Sequence, residues 1–478
     1  MTTSDDQPAF RIEKDSIGPL EVPAEAYYGV QTLRALRNFP LSGKPLPPAF
    51  IHAHALLKKA AAIANRELGL LDEKRSQAIA RAADEIAAGD LADQFPVDVY
   101  QTGSGTSTNM NLNEVIASRA NEMLGGRRGD KSPVHPNDHV NMGQSSNDTI
   151  PTSLHVAALA QGRRVLRPGL AKLEASLNKK SQETWNIIKT GRTHLQDATP
   201  IRMGQEFLGF AGQVERARRR WAAAESELAE VALGGTAVGT GLNTHPRFAG
   251  RVCALLAQWL EIEIYESTNH FQAQATLDAA AFASGVLKTI AISLTKIAND
   301  LRWMGCGPRA GLGEIEIPPV QPGSSIMPGK VNPVIAESLL MVCQRVIGND
   351  ATITAAATSG NFELIVALPV AAEALLESST LLGRAAENFA VQCVDGVQPT
   401  RRGPQLVEAG LMLATALASV IGYEQAAAIA KEAAATGKTI REVAAVKTRL
   451  PPERLAELLD PAAMLESSPG DQGDSAQR

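Results

Sequence analysis

Three stretches of this chain keep a regular apolar rhythm for unusually long. Phe207, Phe210, Val214, Ala217, Trp221, Ala224, Leu228 and Val231 alternate steps of three and four, as do Leu287, Ile290, Leu294, Ile297 and Leu301. Leu368, Leu375, Leu382 and Phe389 keep a step of seven. Such spacing lays one apolar seam along each helix and suits near-parallel packing at shallow crossing angles. A helix of roughly thirty residues reaches about 45 Å at 1.5 Å per residue. The expected fold is therefore mainly α, built around a bundle of long helices. Small residues on other faces, as in Ala279-Ala280-Ala281, allow a second face to be buried against neighbouring subunits. An elongated monomeric bundle fits the same pattern.

At 478 residues the chain exceeds one ordinary core. Shifts in pattern divide it into a mixed, mostly helical region 1–142, the long-helix region 143–397, and a region 398–478 of shorter helices. In the last region the breaks fall at Gly422, Gly437 and Pro451-Pro452. Met1 to Gln7 and the tail after Ser467 are polar and expected to be disordered. The formal charge of -5 argues against a nucleic-acid surface. It also argues against long-range attraction of a dianion, so an acidic substrate needs local donors. The four cysteines, Cys253, Cys306, Cys343 and Cys393, lie tens of residues apart in apolar patterns and read as buried thiols rather than metal ligands. Acidic residues at the start are unlike a targeting segment. The apolar run from Ala279 to Leu294 is interrupted by Lys288 and reads as too short for a bilayer. A soluble, reducing, cytoplasmic setting without membrane partners is the expectation.

The chemistry concentrates in four segments rich in hydroxyl and amide side chains, each expected at a helix start. They are Thr102-Gly103-Ser104-Gly105-Thr106, Gln144-Ser145-Ser146-Asn147-Asp148, Gly191-Arg192-Thr193-His194, and the loop Gly323-Ser324-Ser325-Ile326-Met327-Pro328-Gly329-Lys330-Val331-Asn332-Pro333. In the last, Asn332 before Pro333 reads as an N-cap followed by a proline at the first helical position. Any one segment alone is an ordinary cap or turn. Together they can cage a small polyanion with neutral donors and one lysine, avoiding a cluster of buried, mutually repelling cations. A phosphate loop does not fit the serine loop, which has one residue too many and Val331 where Ser or Thr is needed. Nor does Ser324 lie in the elbow of an acyl-transfer serine.

The serine loop resembles the signature of the fumarase/aspartase superfamily, and the resemblance runs from about Arg11 to Met464. It implies a three-domain, mainly α fold whose central long-helix bundle forms the core of a homotetramer, with active sites shared among three subunits. By the same resemblance, Ser324 is the catalytic base on a mobile loop and His194 handles the proton of the departing group. Glu337 matches the carboxylate that pairs with that histidine, while Lys330 and Asn332 hold developing charge. Ser104, Gly105, Thr106, Ser145, Ser146, Asn147, Thr193, Ser325, Lys330, Val331 and Asn332 match substrate-binding positions. His135-Pro136-Asn137-Asp138 matches a second dicarboxylate site.

The implied reaction is the reversible hydration of fumarate to L-malate through an aci-carboxylate intermediate, with no metal or organic cofactor. Spellings favour loss of water over loss of ammonia: Ser104 adds a hydroxyl, Ser145-Ser146-Asn147 has serine, and Ser359-Gly360-Asn361-Phe362-Glu363-Leu364 follows the same group. The alternatives are an aspartate ammonia-lyase or another fumarate-releasing lyase and, in a different class, a catalytically silent structural oligomer.

Overall fold

The computed structural model describes residues 10–465, so the expectation for Met1–Gln7 and for the tail after Ser467 falls outside the described residues. Among the described residues seventeen α-helices dominate, accompanied by four two-stranded sheets. The elements used below are helices α1 (Pro48–Glu67), α2 (Thr106–Met123) and α3 (Ser146–Gln161), strands β1 (Ile188–Thr193) and β2 (Gln196–Arg202), and four long helices. Those four are α4 (Met203–Ala229), α5 (Asp278–Met304), α6 (Val334–Ala357) and α7 (Leu368–Gln392).

The apolar seams are where the spacing puts them. Every residue of the row from Phe207 to Val231 is buried, as are the rows on α5 and α7. Each large side chain removed from water in this way contributes about 1.5–3 kcal/mol relative to an exposed one. At 27 residues, α4 and α5 are each about 40 Å long. Val231 lies just beyond α4, in a two-residue strand parallel to Tyr265–Glu266. Close approach depends on glycine at one point: a Cβ on Gly162 would sit 2.6 Å from Trp221 Cζ2, so no larger residue leaves room for that indole.

The structure departs from two expectations. The run around Ala279–Leu294 belongs to α5, whose 27 residues are long and apolar enough to cross a membrane by length and composition. Ile297, Ala298 and Leu301 prolong the run past Lys288, and 56% of its most apolar stretch is buried within the fold, as suits a core helix. Lys288 does not break the helix because it sits on its polar side, donating to Asp350 Oδ2 at 2.6 Å. Among the cysteines, Cys253, Cys343 and Cys393 are buried, but Cys306 is only half-buried, on a turn where its Sγ accepts the Leu312 N–H at 3.3 Å.

The chain folds into two compact units assembled from interleaved segments. One comprises residues up to Pro168 with Ala217–Ala291 and Val342–Arg384; the other comprises Gly169–Arg216, Ile292–Met341 and Ala385 onward. The first unit carries the segments at 102–106, 135–138 and 144–148. The second carries the segments at 191–194 and 323–337. In that second unit the short C-terminal helices bury Val407, Leu417, Ile429, Ile440, Val443 and Leu459 in a core of their own, and Ile188 at the base of β1 packs against it. Gly422 and Gly437, both at positive φ, flank the helix Tyr423–Thr436, and Pro452 opens the last helix.

Candidate active site

In the first unit two helices begin side by side. Gly105 precedes α2 at φ +72, and a Cβ there would meet Ile150 Cγ2 at 2.8 Å, so both backbone and packing demand glycine. Ser145 caps α3 in a capping box: its Oγ accepts the Asn147 N–H at 3.2 Å, and its own N–H donates to Asp148 Oδ1 at 2.9 Å. Hydroxyls join the two starts. Ser104 Oγ and Thr106 Oγ1 are 2.8 Å apart, and Thr106 Oγ1 and Ser146 Oγ are 2.7 Å apart. Two adjacent helix N-termini lined by neutral hydroxyls favour an anion without a buried cation at its surface. Asn147 is steadied by donation from Nδ2 to the Ala237 carbonyl at 2.8 Å.

Behind these caps lies a polar cluster. Lys58, His54 and Asp148 are fully buried. His54 bonds Ser153 Oγ and Asn109 Oδ1, and burial followed by the Lys58 charge holds it well below the usual histidine range. Residue order alone assigned this cluster no role. A signal was present, since His54, Lys58 and Asn65 recur along an otherwise alanine- and leucine-rich face of α1.

The His135 segment forms a short turn, Pro136–Val140, capped by its own histidine. His135 Nδ1 accepts the N–H groups of Asn137 and Asp138, each at 3.2 Å. Asp138 Oδ2 lies 3.4 Å from the same Nδ1. His139 Nδ1 accepts the His135 N–H at 2.8 Å, a role that spacing did not suggest. His135, Pro136 and Asn137 line a cleft of about 620 Å³ with Lys14, Lys131 and Thr102.

In the second unit the Gly191–His194 segment departs from expectation: it begins no helix. Strands β1 and β2 pair antiparallel, and His194 and Leu195 form the two-residue connection at φ +56 and +57. Positive φ at both central residues matches the twist of a tight hairpin. Thr193 and His194 are therefore presented, exposed, at its tip. The base is braced by charge. The Arg192 guanidinium is bidentate on Glu314, at 2.9 and 3.1 Å, and Lys189 Nζ bridges Glu206 Oε1 at 2.8 Å and Glu314 Oε2 at 3.1 Å. Burial pushes the Glu206 carboxyl up, against the opposing Lys189 charge.

The serine loop closes on itself. Gly323 N–H donates to the Lys330 carbonyl at 2.9 Å, and Asn332 Nδ2 donates to the Gly323 carbonyl at 2.6 Å. A Cβ on Gly323 would lie 2.2 Å from Lys330 O, which explains that glycine. Asn332 is not the N-cap expected of it. Helix α6 starts at Val334, with Pro333 O accepting the Glu337 N–H at 3.1 Å, because the Asn332 side chain is used in closing the loop. Ser324 Oγ accepts the N–H groups of Ile326 at 3.3 Å and Met327 at 3.0 Å. Ser325 and Lys330 are exposed. Lys330, Val331, Asn332 and Glu337 line one cleft of about 900 Å³ with Arg302 and Trp303. Among the described residues, no hydrogen bond or ion pair joins Glu337 to His194 within the single chain.

A mainly helical chain with long apolar-seamed helices, two hydroxyl-lined helix starts, a histidine-tipped hairpin and a self-closed serine loop has the architecture of a carbon–heteroatom lyase. The chain belongs to the fumarase/aspartase superfamily: residues 18–348 match the family described as Lyase. Residues 413–466 also match the family described as Fumarase C C-terminus. It is 50% identical over 466 residues to the class II fumarate hydratase of Thermosynechococcus vestitus, covering 97% of this chain and 99% of that one. It is equally 50% identical, over 462 residues, to the mitochondrial fumarate hydratase of Rattus norvegicus, covering 96% of this chain and 91% of that one. Among solved structures, the recombinant class II fumarase of Schistosoma mansoni superposes with a TM-score of 0.93 at 39% identity, covering 95% of this chain and 99% of that chain.

Proposed function

We propose that the chain catalyses the reversible hydration of fumarate to L-malate by anti addition and elimination through an aci-carboxylate intermediate. Similarity along nearly the whole chain to class II fumarate hydratases supports the reaction class. Within the site, one observation carries the reading: the two backbone N–H groups donated to Ser324 Oγ. A serine hydroxyl is a feeble base at neutral pH, and amide donors aimed at its oxygen stabilise the alkoxide form.

In the dehydration direction Ser324 Oγ takes a proton from the malate carbon beside a carboxylate. The electron pair moves into that carboxylate, placing a third charge on a dianion, so the step needs preorganised donors. Lys330 and Asn332 serve there, with Ser325 and Val331 of the same loop. The pair then returns, the carbon–oxygen bond breaks, and the hydroxide leaves as water with a proton from His194. Glu337 orients that histidine and its tautomer. Ser104, Gly105, Thr106, Ser145, Ser146, Asn147 and Thr193 hold the substrate carboxylates, and His135, Pro136, Asn137 and Asp138 form a second dicarboxylate site.

This reading includes a homotetramer in which three subunits complete each site, and an organisation along the chain as 1–142, 143–397 and 398–478. Apolar side chains left open on the long helices support the assembly: Phe282 and Ile292 on α5 and Met341 and Ile347 on α6 are 42–63% exposed in the single chain. A cytoplasmic setting is also part of the reading, in keeping with free thiols at Cys253, Cys306 and Cys393. Offering the purified protein L-malate, L-aspartate and argininosuccinate separately, with fumarate followed by its ultraviolet absorbance, tests the reading. Fumarate is expected from malate. Release from aspartate or argininosuccinate instead, or from none, would overturn it.

A further inference from the structure

One buried lysine lies beneath the junction of two polar segments. Lys58 of α1 is fully buried, and its ammonium donates to Asn141 Oδ1 and Gln144 Oε1, both at 2.9 Å. These acceptors bracket a single turn. Asn141 ends the turn that starts at His135, and Gln144 immediately precedes Ser145, the cap of α3. The turn is closed by Gln144 N–H on Asn141 O and by Asn141 Nδ2 on Gln144 O, each at 3.1 Å.

A buried carboxylate holds the other side of the cap. Asp148 Oδ1 accepts the Ser145 N–H, and Oδ2 accepts the N–H groups of Gly234 at 3.2 Å and Thr236 at 2.9 Å. Ser145–Ser146–Asn147 is thus suspended between a buried cation acting through Asn141 and Gln144 and a buried anion acting on the backbone. An isolated buried charge is costly, and an apolar residue at position 58 would match its alanine- and leucine-rich helix. Burial pulls the Lys58 ammonium down to about 7, opposed by the charge of Asp148. A lysine at this buried position therefore calls for a reason other than packing.

We propose that Lys58 is a positioning residue for substrate: through Asn141 and Gln144 it fixes the placement of Ser145–Ser146–Asn147 and so sets affinity rather than the chemical step. The proposal rests on the reading of that segment as substrate-binding. Polar constellations work only when held within about 0.5 Å of their productive geometry, and here the ammonium shares Asn141 Oδ1 with the side-chain amides of Asn109 and Asn113, each at 3.2 Å.

Steady-state dehydration of L-malate is measured for wild type, Lys58→Met and Gln144→Met, with thermal melts and sedimentation to verify folding and assembly. Lys58→Met is expected to raise KM at least tenfold with kcat within threefold of wild type. Gln144→Met, which removes one acceptor and leaves the buried charge in place, is expected to raise KM about threefold and decides the matter if Lys58→Met does not fold. A merely structural lysine would lower the yield of folded protein without this split. An active wild type with both folded variants within twofold of its KM overturns this proposal alone. A wild type inert toward malate removes the hydratase reading and this one with it.

Discussion

The Arg192 guanidinium grips both oxygens of Glu314, at 2.9 and 3.1 Å, two residues before the hairpin tip that presents His194. Glu314 is wholly buried and shares Lys189 Nζ at 3.1 Å. Removing one partner of such a pair leaves an uncompensated buried charge, a loss of about 3–5 kcal/mol. Glu314→Gln is therefore expected to lower the melting temperature and to reduce kcat for malate dehydration at least tenfold by freeing the hairpin. A variant with unchanged kcat would separate the hairpin brace from catalysis.

His194→Asn keeps a polar side chain at the tip but removes the titratable nitrogen. It is expected to slow malate dehydration by about a hundredfold, the scale of a lost acid–base group. If only KM changed, His194 would be a binding group, and the departing hydroxide would have another proton source.

The Ser104 loop is fixed from behind by backbone. Gly103 O accepts the Leu368 N–H at 2.9 Å, and a Cβ on Gly103 would fall 1.8 Å from the Val366 carbonyl oxygen. Gly103→Ala should cost about 1–3 kcal/mol in stability and raise KM by displacing Ser104. Chemical denaturation and steady-state kinetics of the variant check both effects.

Burial of Lys58 also makes stability depend on pH. Its folded value, about 7, lies below the ordinary 10.5, so between these values the unfolded chain binds the proton and the folded chain does not. Folding is then penalised by the charged amine below pH 7, and the penalty fades as pH rises toward 10. Relative to Lys58→Met, wild type is expected to gain up to about 3 kcal/mol between pH 7 and pH 9. Melts of the two proteins at both pH values measure the gain, and a constant gap would place the lysine in a solvated setting.

The bundle was legible because burial on one helix face imposes its period directly on the sequence, as from Phe207 to Leu228. The two capped helix starts were legible too, since glycine at 105 and serine at 145 have local reasons to be there. The His194 hairpin was not. Tight two-residue turns usually advertise glycine or asparagine, and here histidine and leucine occupy both positive-φ positions instead. Asn332 misled in the opposite way, because a residue type suited to capping was taken up by loop closure at Gly323. For the Lys58 cluster the polar positions on α1 hint at a buried site, but its partners come from separate segments of the chain, so the pattern does not say which residues meet there.

In the proposed reaction Ser324 is the group that removes the proton from carbon. Single-turnover and steady-state dehydration of L-malate by Ser324→Ala, with assembly and melting temperature held to wild-type values, measures this directly. A fall in kcat of at least about a hundredfold is the predicted result. Turnover within tenfold of wild type would contradict it and remove the serine loop from the chemistry.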